Sequence, residues 1–426
     1  MSHEPSVPWA GPHLTRMADG TVKQVNPFTG TQVWTVPGRA NRPLAPPREA
    51  RERLDPAQDG RWCAFCSRRY LETTPERRRI VRRGERFTAL DGVPAERLFD
   101  TLAEFRVFPN LFEIVSYEYW RLNHGYEPTP AAQRRHRAYL ASSAGRAHLD
   151  ALVRTRMRAA GERPEDWDGQ DLGERTMGLF AGCHDVVVAR RHYVDGAAYD
   201  DELASSGTLT PDEHDQYIGL TIHALEHLYA ANPYARQVSV FQNWLRPAGA
   251  SFDHLHKQLV AVDDHGPDLQ VQIDRLRSEP NLYDRWGPRY AATHDLVIAR
   301  NQHAVMTAGV GHRYPAIEVW SSVPGRPWEL SQQVRRDFSD LLHAAHAATG
   351  SAVPCNEEWH HQPRDVAEDM PLRAVLKWRI STLAGFEGGT RIYLNTIDPW
   401  TLRDRVARRL RELQRQGSLG DLDIAR

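Results

Sequence analysis

Residues 243–262 read NWLRPAGASFDHLHKQLVAV, and the reading of the whole chain turns on this stretch. Its end, Gln258–Val262 (QLVAV), is a short β-branched run that predicts a buried strand. Alternate residues of a strand share a face, so His254, His256 and Gln258 are expected to project together. Two imidazoles and an amide on one face are unusual for a strand meant only to pack. Gly249 and Ser251, just upstream, offer backbone N–H groups and a hydroxyl to an anion. A histidine held this way can attack phosphorus and form a phosphoramidate, which splits one difficult transfer into two easier ones. Taken without its neighbours, an HxH pair is more often solvated or core-satisfied histidine on an edge strand.

Outward from this stretch, the chain has 426 residues, too many for one ordinary core, so two or three units or one large duplicated domain are expected. Its composition, 41% hydrophobic and 26% charged, allows a sizeable core. Lys and Arg (54) nearly cancel Asp and Glu (55), which argues against a broad basic surface for nucleic acid. No apolar run approaches the roughly 20 residues that cross a bilayer. The opening MSHEPSVPWAGPHL lacks the charged start and apolar core of a secretory signal. A cytoplasmic protein with neither a nucleic-acid nor a membrane partner is expected. Of four cysteines, two form Cys63-Ala-Phe-Cys66, which in this setting reads as metal or redox chemistry before it reads as a disulfide.

The first sixty residues, rich in Pro, Gly and Arg, read as an extended arm with one short strand at Gln32–Val36. Residues 74–86, studded with arginine, read as a solvated connection. Phe105–Val115 predicts a strand turning at Pro109-Asn110, and 130–158 predicts one helix. Asp185–Ala189 reads as a strand, and Pro211–Ala231 as a long helix capped by Thr210. Strands are expected again at 294–299, 317–320 and 391–394, with helices at 330–348 and 400–414. HDVVVAR at 184 and HDLVIAR at 294 are superficially alike and hint at duplication. Strand and helix segments with long connections predict an α+β fold rather than a regular βαβ ladder. His223-Ala-Leu-Glu226-His227 matches the HxxEH pattern of inverted zinc proteases, a pattern that arises readily by chance.

The string Asn243-x5-Gly249-Ala-Ser251-x2-His254-x-His256-x-Gln258 closely resembles the active-site motif of the galactose-1-phosphate uridylyltransferases, a branch of the histidine-triad (HIT) superfamily. Further segments extend the resemblance in chain order: Asn26-Pro27-Phe28-Thr29 with Gly38-Arg39 and Arg42-Pro43, then Cys63 and Cys66, Val107-Phe108-Pro109-Asn110 and His192. The second half matches thinly, chiefly at Leu383-Ala-Gly385-Phe386-Glu387.

The resemblance implies a duplicated α+β chain of two HIT-like half-domains, each an antiparallel sheet with flanking helices. Residues 1–60 would form an arm bearing phosphate-contacting arginines. Residues 61–265 would form the first half-domain, with zinc site and nucleophile, and 266–426 the second with the C-terminal helix. The implied activity is transfer of a nucleoside monophosphate between a nucleotide sugar and a sugar 1-phosphate by double displacement. His256 would be the nucleophile, Gln258 a donor to a phosphoryl oxygen, and Ser251 and Gly249 the phosphate cradle. Arg39 and Arg42 would offer forked donors, and Asn110 and Asn243 would contact nucleotide or ribose. Cys63, Cys66, His192 and His254 would hold one structural Zn²⁺ per chain, with no open position for water. A homodimer is implied, with Glu387 of the second half completing the partner's pocket. Leu255 stands where the family has proline, and Phe386 where it has a tyrosine beside the sugar-binding glutamate. Two alternatives stay open: a phosphorylase of nucleotide sugars or dinucleoside polyphosphates using the same histidine, and a non-catalytic, zinc-stabilised nucleotide-binding protein.

Overall fold

Thr210 begins the longest helix as expected. Its hydroxyl accepts the Glu213 N–H at 3.2 Å while the Glu213 carboxylate accepts the Thr210 N–H at 2.9 Å. The helix runs Pro211–Ala231 and buries Tyr217, Ile218, Leu225 and Leu228 against a large sheet. The computed structural model describes residues 12–38, 44 and 50–426.

The arm holds β1 (Leu14–Arg16), β2 (Val22–Val25) and β3 (Gln32–Thr35). There follow β4 (Arg78–Arg83), β5 (Arg86–Asp91), β6 (Ala103–Pro109), β7 (His184–Ala189), β8 (Gln237–Trp244) and β9 (His256–Val262). The rest of the chain supplies β10 (Val297–Arg300), β11 (Ala304–Ala308), β12 (Ala316–Pro324), β13 (Cys355–His360), β14 (Pro371–Trp378), β15 (Ile392–Asn395) and β16 (Asp423–Ile424). One twelve-stranded sheet has the order β5-β4-β6-β7-β9-β8-β13-β14-β12-β11-β10-β16. Every neighbouring pair in it is antiparallel.

That order mirrors itself about the β8–β13 seam. On one side β6-β7-β9-β8 is followed outward-in, and on the other β11-β12-β14-β13 repeats it. Each side sends one long helix between its second and third strands along the chain, Pro211–Ala231 on the first and Gln332–Thr349 on the second. The architecture is therefore α+β with two antiparallel half-domains. The HDVVVAR and HDLVIAR segments do not mark the repeat: the first is β7, whereas the second leads into β10, whose mirror position is β4.

The two long helices pack together on one face, where Ile218, Leu225, Phe338 and Leu342 share a core with the sheet. Within that core Lys257 of β9 forms an ion pair with Glu357 of β13, both fully buried. His346 Nε2 lies 2.6 Å from the other Glu357 oxygen, and Trp359 Nε1 donates to the first at 2.5 Å. Burial pushes the Glu357 carboxyl up, but Lys257 and His346 more than offset that and hold it well below the usual range. This cluster ties the half-domains together across the seam.

Several expectations are corrected. Residues 74–86 are not a solvated connection: most belong to the β4–β5 hairpin at the sheet edge. Buried Glu76 takes both Arg79 and Arg106, and Arg77 pairs with buried Asp185. Arginine is tolerated inside where a carboxylate meets its fork. Asp185 and Arg106 stand far along the chain from their partners, and the Glu76–Arg79 pair, though only three residues apart, carries no local sign that it is buried. The single helix at 130–158 is two, Pro130–Ala141 and Ser143–Ala159. Ser142 breaks it by capping the second, its hydroxyl accepting the Gly145 N–H at 2.9 Å. The arm carries three strands rather than one and, with β15 parallel to β3, forms a separate four-stranded sheet. It docks on the second half: Asn26 Nδ2 donates to Val310 O at 3.0 Å, and Gln24 Oε1 accepts the Gly311 N–H at 3.0 Å.

Candidate functional site

β9 pairs with β7 through Val188↔His256 and Val186↔Gln258, so these side chains share the sheet face opposite the long helices. Lys257 and Leu259 alternate to the helix side. The strand begins at His256, so His254 stands just before it rather than within it. Gly249 sits in the turn upstream with φ +89°, a left-handed conformation that a side chain would strain.

The expected metal ligands come together. Cys63 Sγ lies 3.4 Å from His254 Nδ1, and Cys66 Sγ lies 3.7 Å from both His254 Nδ1 and His192 Nδ1. The two sulfurs are 3.9 Å apart, and all four ligand atoms fall within 4.8 Å of one another. The donor set suits a four-coordinate metal with thiolate and imidazole ligands. His254 fits it further, because its Nε2 faces the Ala189 carbonyl at 2.7 Å. A carbonyl only accepts, so Nε2 carries the proton and Nδ1 turns its lone pair to the cysteines. The Cys66 thiol is held far below its ordinary range, first by the hydrogen bond from Cys63 and then by the His192 and His254 rings. These residues could hold one metal ion per chain.

His256 is buried, and its Nδ1 lies 2.7 Å from the His254 carbonyl oxygen. By the same argument Nδ1 is protonated and Nε2 is bare. Burial pushes the ring down to about 4, so it is neutral at pH 7, a state in which Nε2 is nucleophilic. Phe65, between the two cysteines, packs its ring 5.2 Å from that of His256 and 4.6 Å from that of Phe252. The CxxC loop therefore positions both imidazoles.

Beside His256, Gln258 Oε1 lies 3.0 Å from His184 Nε2, and Asn110 Nδ2 lies 3.1 Å from the same nitrogen. Asn110 is thus brought to the site at the end of β6. Asn243 faces the seam, its Oδ1 accepting from Asn356 Nδ2 at 2.6 Å, and Asn356 Nδ2 also reaches the Ala248 carbonyl beside Gly249. Ser251 is exposed in the loop before His254. Glu387 is not brought to His256 by a hydrogen bond: its Oε2 accepts the Ala384 N–H at 3.0 Å, closing the helix Gly385–Thr390. Arg39 and Arg42 lie outside the described residues.

A cavity of about 900 Å³ opens beside the metal cluster, bounded by Arg53, Trp62, Cys66, Arg68, Tyr70 and His192 among others. Another of about 320 Å³ lies among the helices between Glu113 and Arg156. Neither takes in His256 or Gln258, so the candidate site is defined by its convergent donors and the bare nitrogen rather than by either volume. His223 and His227 of the HxxEH pattern join no metal-competent cluster among the described residues. His184 and Phe65 were not singled out by the sequence. Their placement depends on cross-strand register and on folding of the CxxC loop, neither of which leaves a local signal.

The fold matches solved structures along nearly its whole length. An ADP-glucose phosphorylase from Arabidopsis thaliana with bound ADP-glucose is 17% identical, with a TM-score of 0.58 over 91% of this chain and 98% of that one. A galactose-1-phosphate uridylyltransferase-like protein from Arabidopsis thaliana is 16% identical, with a TM-score of 0.56 over 90% and 98%. A uridylyltransferase structure matches at 16% identity and a TM-score of 0.44 over 54% and 76%. No curated protein matches the chain. A family model described as a domain of unknown function, DUF4921, matches residues 17–426. The fold is thus shared with the ADP-glucose phosphorylase and the galactose-1-phosphate uridylyltransferase-like protein, and the chain belongs to the DUF4921 family.

Proposed function

We propose that this protein transfers a nucleoside monophosphate from a nucleotide sugar by way of a covalent nucleotidyl-His256. The observation that carries the proposal is the buried imidazole whose Nδ1 is committed to the His254 carbonyl, leaving Nε2 bare beside the Gln258 amide. In the first step Nε2 bonds to the α-phosphorus, and the bond from phosphorus to the bridging oxygen breaks. The departing sugar 1-phosphate carries that electron pair away. The ring gains positive charge, which the His254 carbonyl shares through Nδ1–H. In the second step a phosphate oxygen of the acceptor attacks phosphorus, and the electrons of the P–N bond return to Nε2. Gln258, Ser251 and the Gly249 backbone are assigned to the phosphoryl oxygens, Asn110 and Asn243 to the nucleotide, and Arg39 and Arg42 to the phosphates.

Zn²⁺ held by Cys63, Cys66, His192 and His254 is assigned a structural role, fixing the residue that fixes His256. A homodimer is part of the proposal: Leu383 and Phe386, both just before Glu387 in the chain, are exposed, as suits a segment that enters a partner's pocket. Inorganic phosphate as the acceptor is the second reading. The likeness to an ADP-glucose phosphorylase over almost the full chain favours it. The deciding experiment incubates the protein with nucleotide sugars labelled in the α-phosphate, isolates labelled protein, and chases it with inorganic phosphate or with sugar 1-phosphates. Label that resists water but leaves with one acceptor supports the mechanism and names that acceptor. Absence of label from every nucleotide sugar contradicts it.

A further inference from the structure

The long strand β7 opens with His184, fully buried at the edge of the candidate site on the same sheet face as His256 and Gln258. Its tautomer follows from its neighbours. The Ile114 backbone N–H points at Nδ1 from 3.1 Å, and an amide N–H can only donate, so Nδ1 is bare and the proton sits on Nε2. Two groups lie within reach of that proton. Asn110 has committed its Oδ1 to the Phe112 N–H at 3.0 Å and so turns its NH2, another donor, toward His184. Gln258 Oε1, at 3.0 Å, is the acceptor.

We propose that His184 is a positioning residue that aims Gln258: its Nε2–H holds Oε1 and so turns the Gln258 NH2 toward the phosphoryl group that His256 receives. Because Asn110 presents its NH2 to the same nitrogen, Gln258 Oε1 is the acceptor left within reach of Nε2–H, which favours this orientation of the amide. The Gln258 NH2 has no hydrogen-bond partner among the described residues, as suits a donor kept for a ligand. Burial lowers the His184 ring to about 4, so the neutral tautomer that does the aiming persists through physiological pH. A donor already pointed at the developing charge needs no reorganisation when the P–N bond forms. The loop 110–114 belongs to the same device, since its Ile114 amide selects the tautomer.

The inference rests on the reading of His256 as nucleophile, and its test separates the two. Single-turnover labelling of His256 by an α-phosphate-labelled nucleotide sugar is compared for wild type, His184→Leu, His184→Gln, Gln258→Ala and the His184→Leu/Gln258→Ala double variant. A misaimed donor should slow labelling by about 10- to 100-fold in His184→Leu while nucleotide Kd moves less than about threefold. His184→Gln keeps a donor near the place of Nε2 and should regain most of the rate. In the Gln258→Ala background, His184→Leu should add less than about a twofold loss. Losses that multiply in the double variant overturn the proposal, because His184 would then act independently of Gln258. If the wild type takes no label, the His256 reading fails, and ¹⁵N NMR still decides the aim. The Nε2–H tautomer at His184, with Gln258 NH2 resonances that shift in His184→Leu but not in His184→Gln, supports it; the Nδ1–H tautomer overturns it.

Discussion

At the residue scale the site is a matter of which nitrogen carries a proton. Three carbonyl or amide contacts fix three imidazoles: Ala189 O sets His254, His254 O sets His256 and Ile114 N sets His184. His256 and Gln258 were legible as a pair because strand alternation puts them on one face. The HxH spacing alone was not informative until its neighbours were read with it, and His254 stands just before the strand. The tautomers were not, since each depends on a backbone atom whose place only the fold supplies. A second residue-scale expectation concerns Glu113. Its Oε1 is buried without a partner, and burial pushes the carboxyl up to about 7. A carboxyl raised in the folded state costs stability as pH climbs through the interval between its unfolded value of 4.5 and about 7. Glu113→Gln should therefore gain on wild type across that interval, by up to roughly 3 kcal/mol at pH 8. Urea unfolding at pH 5 and pH 8 checks this; a gap that does not widen with pH contradicts it.

At the scale of elements, the cysteine loop and the strand it faces act as one unit. Metal removal should be felt at His256, because in the proposed site His254 would be a ligand and it also supplies the carbonyl that orients the ring. Cys63→Ser is expected to lose bound zinc first and transfer activity with it, whereas His256→Gly should lose transfer and keep close to one zinc per chain. Metal analysis beside labelling reads out both. The β4–β5 hairpin gives a further expectation. Glu76→Ala leaves Arg79 and Arg106 buried without their carboxylate, which should cost about 3–5 kcal/mol in denaturant unfolding. Here sequence patterning failed for a physical reason: an arginine-rich stretch looks solvated unless the carboxylates that bury it are known, and Asp185 lies 108 residues from Arg77. The helix Pro211–Ala231, by contrast, was legible to its ends because its cap, proline and acidic first turn are all local signals.

At the scale of the molecule, the chain is a duplicated sheet whose halves meet at β8 and β13. The duplication was legible as a family implication, not from the similar heptapeptides, which fall at non-equivalent strands. The seam is held by a buried ion pair that packing alone did not require. Glu357→Leu should be strongly destabilising, by about 3–5 kcal/mol, because it strands the Lys257 ammonium in the core. The Lys257→Met/Glu357→Leu pair should recover most of that loss by thermal unfolding; no recovery would mean that the pair's other partners, His346 and Trp359, carry the cost.

The account depends above all on where a nucleotide becomes attached. Protein mixed with a nucleotide sugar and quenched under alkaline conditions, which preserve a phosphoramidate, can be digested and sequenced by mass spectrometry. The account predicts one nucleoside monophosphate on the imidazole of His256 and none in the His256→Gly variant. A nucleotide on any other residue, or none while turnover proceeds, contradicts it.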